Sequence, residues 1–329
     1  MFDICLMPKR IFLDSRDWIQ LARISKGKEP DPILINVYKK IKEFSDSGEI
    51  IFPFSMFHLE DMIKNTNKKQ RDDIIDTMVE ISKGCVMKPF LLFREKEIEN
   101  AILRLLDLNP IHDIKSQIIG RGIAYIAGEE YHVSSSNPDL QKFLDEKEQE
   151  LRNIADSVET MVKFLKDEHF SLFFRKGSQM YLQGAIEMEK NRTQRKTWKK
   201  TERYKYEINS YISKFVFPHF KKFTQNNRSL QNGVMTFIKS PKDFELLLEY
   251  MPSSYIFVQL TFARDEGTSE REIPPNDLID VAHLAGAVPY CDVVVIEKMF
   301  AGLCYKLKLD KKYGCTILNS LKDLNELLC

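Results

Sequence analysis

Pro274-Pro275-Asn276-Asp277-Leu278-Ile279-Asp280-Val281-Ala282-His283-Leu284-Ala285-Gly286-Ala287 leads through Pro289-Tyr290-Cys291 into Asp292-Val293-Val294-Val295-Ile296-Glu297-Lys298. Two prolines suit the entry to a helix, and Asn276 or Asp277 can cap the exposed amides of its first turn. Val281, Leu284, Ala285 and Val288 recur at helical spacing, which predicts one buried face. Asp292 to Glu297 is an apolar run of strand length bracketed by acids, the pattern of a strand buried in a parallel sheet. The acids therefore fall at element ends: Asp277 and Asp280 in the helix's first turns, Glu297 where the strand stops. In open α/β sheets the carboxyl ends of strands are where ligands bind.

Earlier parts of the chain supply acids in equivalent places. Arg10-Ile11-Phe12-Leu13-Asp14-Ser15 is a short apolar run that ends in an acid, and Ile50-Ile51-Phe52-Pro53-Phe54-Ser55 leads into a helix carrying His58 and Glu60. Between and after them, helical windows such as Leu34 to Phe44 and Lys68 to Lys83 complete a strand-helix-strand-helix order, as a parallel sheet requires.

Together, Asp14, Glu60, Asp280 and Glu297 make a set that resembles the acids of PIN-domain and PIN-like nucleases. The resemblance implies an α/β fold: a small parallel sheet flanked by helices, with three or four carboxylates gathered at the strand ends around Mg²⁺ or Mn²⁺ for RNA phosphodiester hydrolysis. Carried across by position, Asp14 matches the acid ending the first strand. Glu60, in Ser55-Met56-Phe57-His58-Leu59-Glu60, matches the acid after the second strand, and Asp280 the one opening the helix before the fourth. Glu297 stands where the family usually has an Asp, and Ile296 where it has a Thr. Asp277 and Asp292 are spare acids nearby. The match spans residues 1–90 and 251–329, leaving 91–250 as a large, mostly helical insertion. Many relatives are toxins or defence effectors, and homo-oligomers or regulatory protein partners are further expectations.

The chemistry of the set points the same way. Carboxylate oxygens are hard ligands suited to divalent ions that keep bound water and meet phosphates. Clustered without metal they repel, which raises at least one pKa. Each residue also has a plainer role open to it: Asp14 and Asp277 as helix caps, Asp280 as a first-turn acid favoured by the helix dipole, Glu60 and Glu297 as solvated acids. His283 and His58 either steady a carboxylate or sit as satisfied, half-buried histidines. Ser15 and Ser55 either bond a ligand or cap a helix. No Gly-rich phosphate loop, G-x-S-x-G elbow or H-E-x-x-H pair is present.

With 49 basic and 48 acidic residues, net charge exerts no overall pull toward nucleic acid, so any attraction must come from local clustering. The densest such window is Lys190 to Lys205. Arg192, Arg195, Lys196, Lys199, Lys200 and Arg203 are interleaved there with Trp198, Tyr204 and Tyr206. Cations that neutralise phosphates beside aromatics that stack on bases would suit RNA; a solvated helix face is the other reading. Elsewhere in the insertion, Glu95 to Leu106, Ile114 to Ile126, Asp139 to Lys166 and Gln179 to Tyr211 read as helices and Tyr131 to Val133 as a short strand. Ser254 to Phe262 reads as a strand or a short helix, and Arg264 to Glu272 as a charged loop. Six cysteines without a C-x-x-C pair argue against a zinc ribbon or a redox motif. No run reaches the ~18 apolar residues of a membrane span, and the N-terminal apolar run is too short for a signal peptide. The expectation is a cytoplasmic, reduced protein without membrane contact: a metal-dependent PIN-like ribonuclease, or a catalytically inactive relative that keeps the fold for binding.

Overall fold

The computed structural model describes residues 8–127, 137–147, 150, 153–154, 156–168, 183, 186–187, 189–237, 241–267 and 275–328. Four parallel strands form its main sheet: β1 (Lys9–Leu13), β2 (Ile50–Ile51), β6 (Val293–Val295) and β7 (Thr316–Leu318), in the order β2-β1-β6-β7. The central pair is β1 and β6, with Ile11 opposite Val293 and Leu13 opposite Val295. Two apolar runs nearly three hundred residues apart thus end side by side at one edge.

Alternation along each strand gives the sheet two buried faces. Ile11, Leu13, Val293 and Val295 pack with α1 (Ser15–Ser25), α2 (Pro32–Ser47) and α4 (Lys68–Ser82). Phe12, Val294 and Ile317 face the other way, onto α7 (Pro275–Ala287) and α8 (Lys298–Lys306). Helix α9 (Leu321–Leu327) closes the first face. A third cluster joins α5 (Phe90–Leu105) to Lys200–Tyr211, Phe217–Thr224 and α6 (Pro252–Gly267).

Several local expectations change. The expected strand from Glu49 to Pro53 is confined to β2, and the apolar run from Ile50 to Ser55 holds two strands, because Pro53 cannot donate to a ladder. Its second half, β3 (Phe54–Ser55), joins a separate sheet with β4 (Cys85–Met87) and β5 (Ile119–Arg121). The window Ile114 to Ile126 is not one helix: Gly122, at φ +93°, breaks it, and β5 runs antiparallel to β4. Ser254 to Phe262 is helical, and α6 continues through Arg264, so the charged loop does not begin there. The Tyr131 to Val133 strand lies outside the described residues, as does the rest of that loop, 268–272. Among the described residues no helix is long and apolar enough to cross a membrane.

Candidate metal centre

The site begins with the residue that ends β1. Asp14 has extended backbone, its amide donates to Val295 O at 3.1 Å, and its Oδ1 accepts from Ser15 N at 2.6 Å. It caps α1, as the plainer reading of the sequence allowed, while facing the cleft beyond the strand ends. On α7, Asp277, Asp280 and His283 follow at three-residue steps, which places them on one side of the helix. Phe12, Asp14, Asp280, His283, Leu284, Ile296, Glu297 and Phe300 line a cleft of about 10 Å³. That is room for one water-sized species.

One ligand atom each of Asp14, Asp280 and His283 lies within 4.8 Å of the others, a spacing that could hold a metal ion. Two carboxylates and an imidazole are donors for a divalent cation, and only the imidazole brings softness to the set. Burial first, then the charges of Asp14, Asp61, Glu297 and Asp277, push the Asp280 carboxyl up to about 8. Burial also raises Asp14 to about 6; the Ser15 amide and Arg16 oppose it, and Glu297 and Asp61 add to it. A cation among these groups would relieve the repulsion and favour the ionised forms.

The histidines are neutral donors. Burial lowers His58 to about 4 and His283 well below its usual value. His58 Nδ1 accepts from Ser55 N at 2.9 Å, so Nε2 carries the proton and donates to Leu13 O at 2.8 Å. It thereby ties α3 (Met56–Ile63) to the end of β1 as a satisfied, fully buried histidine. His283 stacks against it, ring centroids 4.5 Å apart, and among the described residues its buried Nε2 has no hydrogen-bond partner.

The remaining acids are sorted by the fold. Glu297 lines the cleft and precedes α8, exposed and without a side-chain cap bond. Glu60 is buried, neither oxygen has a hydrogen-bond partner among the described residues, and burial with Asp61 raises it to about 8. It stands outside the tight Asp14–Asp280–His283 group, whereas Asp61, one residue on, accepts from Ser15 Oγ at 2.8 Å. Asp292 is excluded: its Oδ2 accepts from Arg10 N at 2.7 Å, at the opposite end of β1. Four residues of strand rise, about 13 Å, separate that level from Asp14. Two nearby acids escaped the sequence reading. Asp61 follows His58 by one helical turn and Asp17 follows Asp14 by one turn, so their spacing was the available signal. Asp17 is buried, which raises it to about 7.

The basic window is more self-contained than its composition suggested. Arg192 pairs with Glu189 at 2.6 Å, Arg195 with Glu207 at 2.6 Å and Arg203 with Glu266 at 2.7 Å; Lys200 stands 3.6 Å from Glu266. Arg195 also lies over the Tyr206 ring. Of the six candidates, Lys196 and Lys199 are exposed without such a pair among the described residues. No family model, no curated protein and no solved structure matches this chain.

Proposed function

We propose that this protein is a metal-dependent, PIN-like nuclease that hydrolyses RNA phosphodiester bonds. The observation that carries the reading is the meeting of Asp14, Asp280 and His283 beyond the carboxyl ends of parallel strands. Asp14 and Asp280 would hold Mg²⁺ or Mn²⁺, with Glu297 at the rim of the same cleft and Asp277 one turn back on α7. The ion would supply Lewis acidity and an activated water. The chain's own part is positional. Asp14 is fixed by the β1–α1 junction, His283 stays uncharged in its aromatic packing, and Phe12, Leu284 and Phe300 supply apolar walls to the cleft.

Cleavage of single-stranded RNA and of DNA by the purified chain, with Mn²⁺ and with chelator, tests the proposal. Mn²⁺-dependent RNA cleavage that disappears in Asp14→Asn and Asp280→Asn is the expected result. A second reading, a catalytically inactive binding module, is favoured by one feature: a cleft of about 10 Å³ walled by Ile296 leaves little room beside an ion. RNA binding without cleavage by the wild type would select it.

A further inference from the structure

We infer that the groove between α1 and the start of α4 is a nucleotide subsite, holding the residue next to the scissile phosphate of a single-stranded RNA. This deepens the nuclease reading and rests on it. The groove has a volume of about 350 Å³ and is lined by Ile19, Ala22, Arg23, Lys28, Asn65, Gln70, Asp73 and Ile74. Its place relative to the acids follows from one hydrogen bond, Ser15 Oγ to Asp61 Oδ2 at 2.8 Å. Ile19, Ala22 and Arg23 follow Ser15 by four, seven and eight residues, on the same face of α1. Asn65 follows Asp61 by four, just past the end of α3. A step of four residues is one helical turn, about 5.4 Å of rise, and steps of seven or eight are about two turns. The groove therefore opens one turn away from Ser15, and Asp14 is the residue before it.

The lining has the parts such a subsite needs. Ile19 is a large apolar side chain left 44% exposed, a surface against which a base can lie. Asp73 is shared by Lys26 at 3.5 Å and Lys28 at 3.8 Å, while Arg23 is exposed and has no acidic partner among the described residues. The rim is therefore net positive, and an arginine fork matches a phosphate with two parallel hydrogen bonds. At the other wall Gln70 Oε1 accepts from Asn65 Nδ2 at 2.9 Å. That orients the Gln70 amide and leaves its Nε2 to donate to an acceptor on a base edge, the kind of contact by which single-stranded RNA is read.

The experiment pairs binding with cleavage. Fluorescence anisotropy of a short, mixed-sequence, fluorescein-labelled oligoribonucleotide is measured without divalent metal for wild type, Arg23→Ala, Ile19→Asp, Gln70→Ala and Asp14→Asn. Cleavage products are then mapped with Mn²⁺. Loss of Arg23 should weaken binding about tenfold and raise KM with kcat little changed, as expected for a charge-assisted contact that does not touch the reacting atoms. Gln70→Ala should flatten base preference at one position beside the cut, and Asp14→Asn should still bind. Melting curves check that the exposed substitutions leave the chain folded. The subsite is overturned if Arg23→Ala and Ile19→Asp bind and cleave as wild type does, or if the wild type binds no RNA. Arg23-dependent binding with no cleavage by the wild type would instead overturn the nuclease reading and leave the groove standing as an RNA site.

Discussion

Asp14 closes β1 and Asp280 stands inside α7, and their carboxylate oxygens come within 4.8 Å of each other at the edge of the sheet. Two anions so close in a half-dry cleft are frustrated unless a proton or a cation lies between them. Burial raises both carboxyls, and the charge of Asp14 adds to the rise of Asp280.

Metal should therefore compete with protons. Mn²⁺ titrations near neutral pH are expected to release protons, seen in calorimetry as a heat that changes with the buffer's ionisation enthalpy. A saturating ion should also raise the melting temperature, by about 2.7 kcal/mol of stability at a hundredfold excess over Kd. Asp280→Asn should abolish both responses. A buffer-independent heat would show that these carboxyls are not the ligands.

Without metal, stability should depend on pH in a defined direction. Asp280, Asp17 and Asp14 hold their protons to about 8, 7 and 6 in the folded chain. A free aspartate loses its proton near 3.9. The folded state thus binds more protons than the unfolded one, so this contribution fades as pH rises from about 4 through about 8. His58, lowered to about 4, acts oppositely and costs stability as pH falls below about 6.5. Melting temperatures taken with chelator between about pH 7 and 9 isolate the carboxylates and should fall with rising pH. An upward slope there would contradict the assignment.

Glu60 offers a separate test. It is buried without hydrogen-bond partners among the described residues and holds its proton to about 8. Glu60→Gln should melt at or above the wild type at high pH, where the wild type must bury a charge, and the gain should shrink on acidification. If instead Glu60→Gln removes the Mn²⁺ response, Glu60 is a ligand in the loaded state.

Glu97 joins α5 to the start of α6 and to the segment entering β6. Fully buried on α5, it accepts from Ser253 N at 3.0 Å, from Ser253 Oγ at 2.6 Å and from the Tyr290 hydroxyl. Glu97→Ala would strand donors at the start of α6 and on the segment entering β6. At about 1–3 kcal/mol for each unsatisfied group, chemical denaturation should show a loss well above that of a surface change. Glu97→Gln, which keeps an acceptor, should recover part of it.

A similar logic applies to His58. His58→Ala removes the bridge between Leu13 O and Ser55 N and leaves a gap beside Phe12, Trp18 and His283. A loss of about 2–4 kcal/mol in urea unfolding is expected, combining a cavity with two broken hydrogen bonds. Equal stability of the variant would mean that the imidazole contributes little there.

Strand character and strand ends were legible in the sequence because apolar runs of strand length report burial directly: Ile11 to Leu13 and Val293 to Val295 read as interior strands and are buried as such. Asp14, Asp280 and Glu297 followed as acids at their edge. What the residues by themselves could not fix was direction around a helix axis and pairing across the fold. Glu60 and Asp61 are neighbours in sequence but about 100° apart on α3. Only packing decided that Asp61 meets Ser15 while Glu60 is buried away from the tight group. The register of β1 on β6 sent Asp292 to the far end of the sheet, and Glu189, Glu207 and Glu266, all outside the basic window, pair with three of its arginines. His283 entered the site for the same reason: a side chain's partners are set by long-range contacts, which local sequence pattern does not encode.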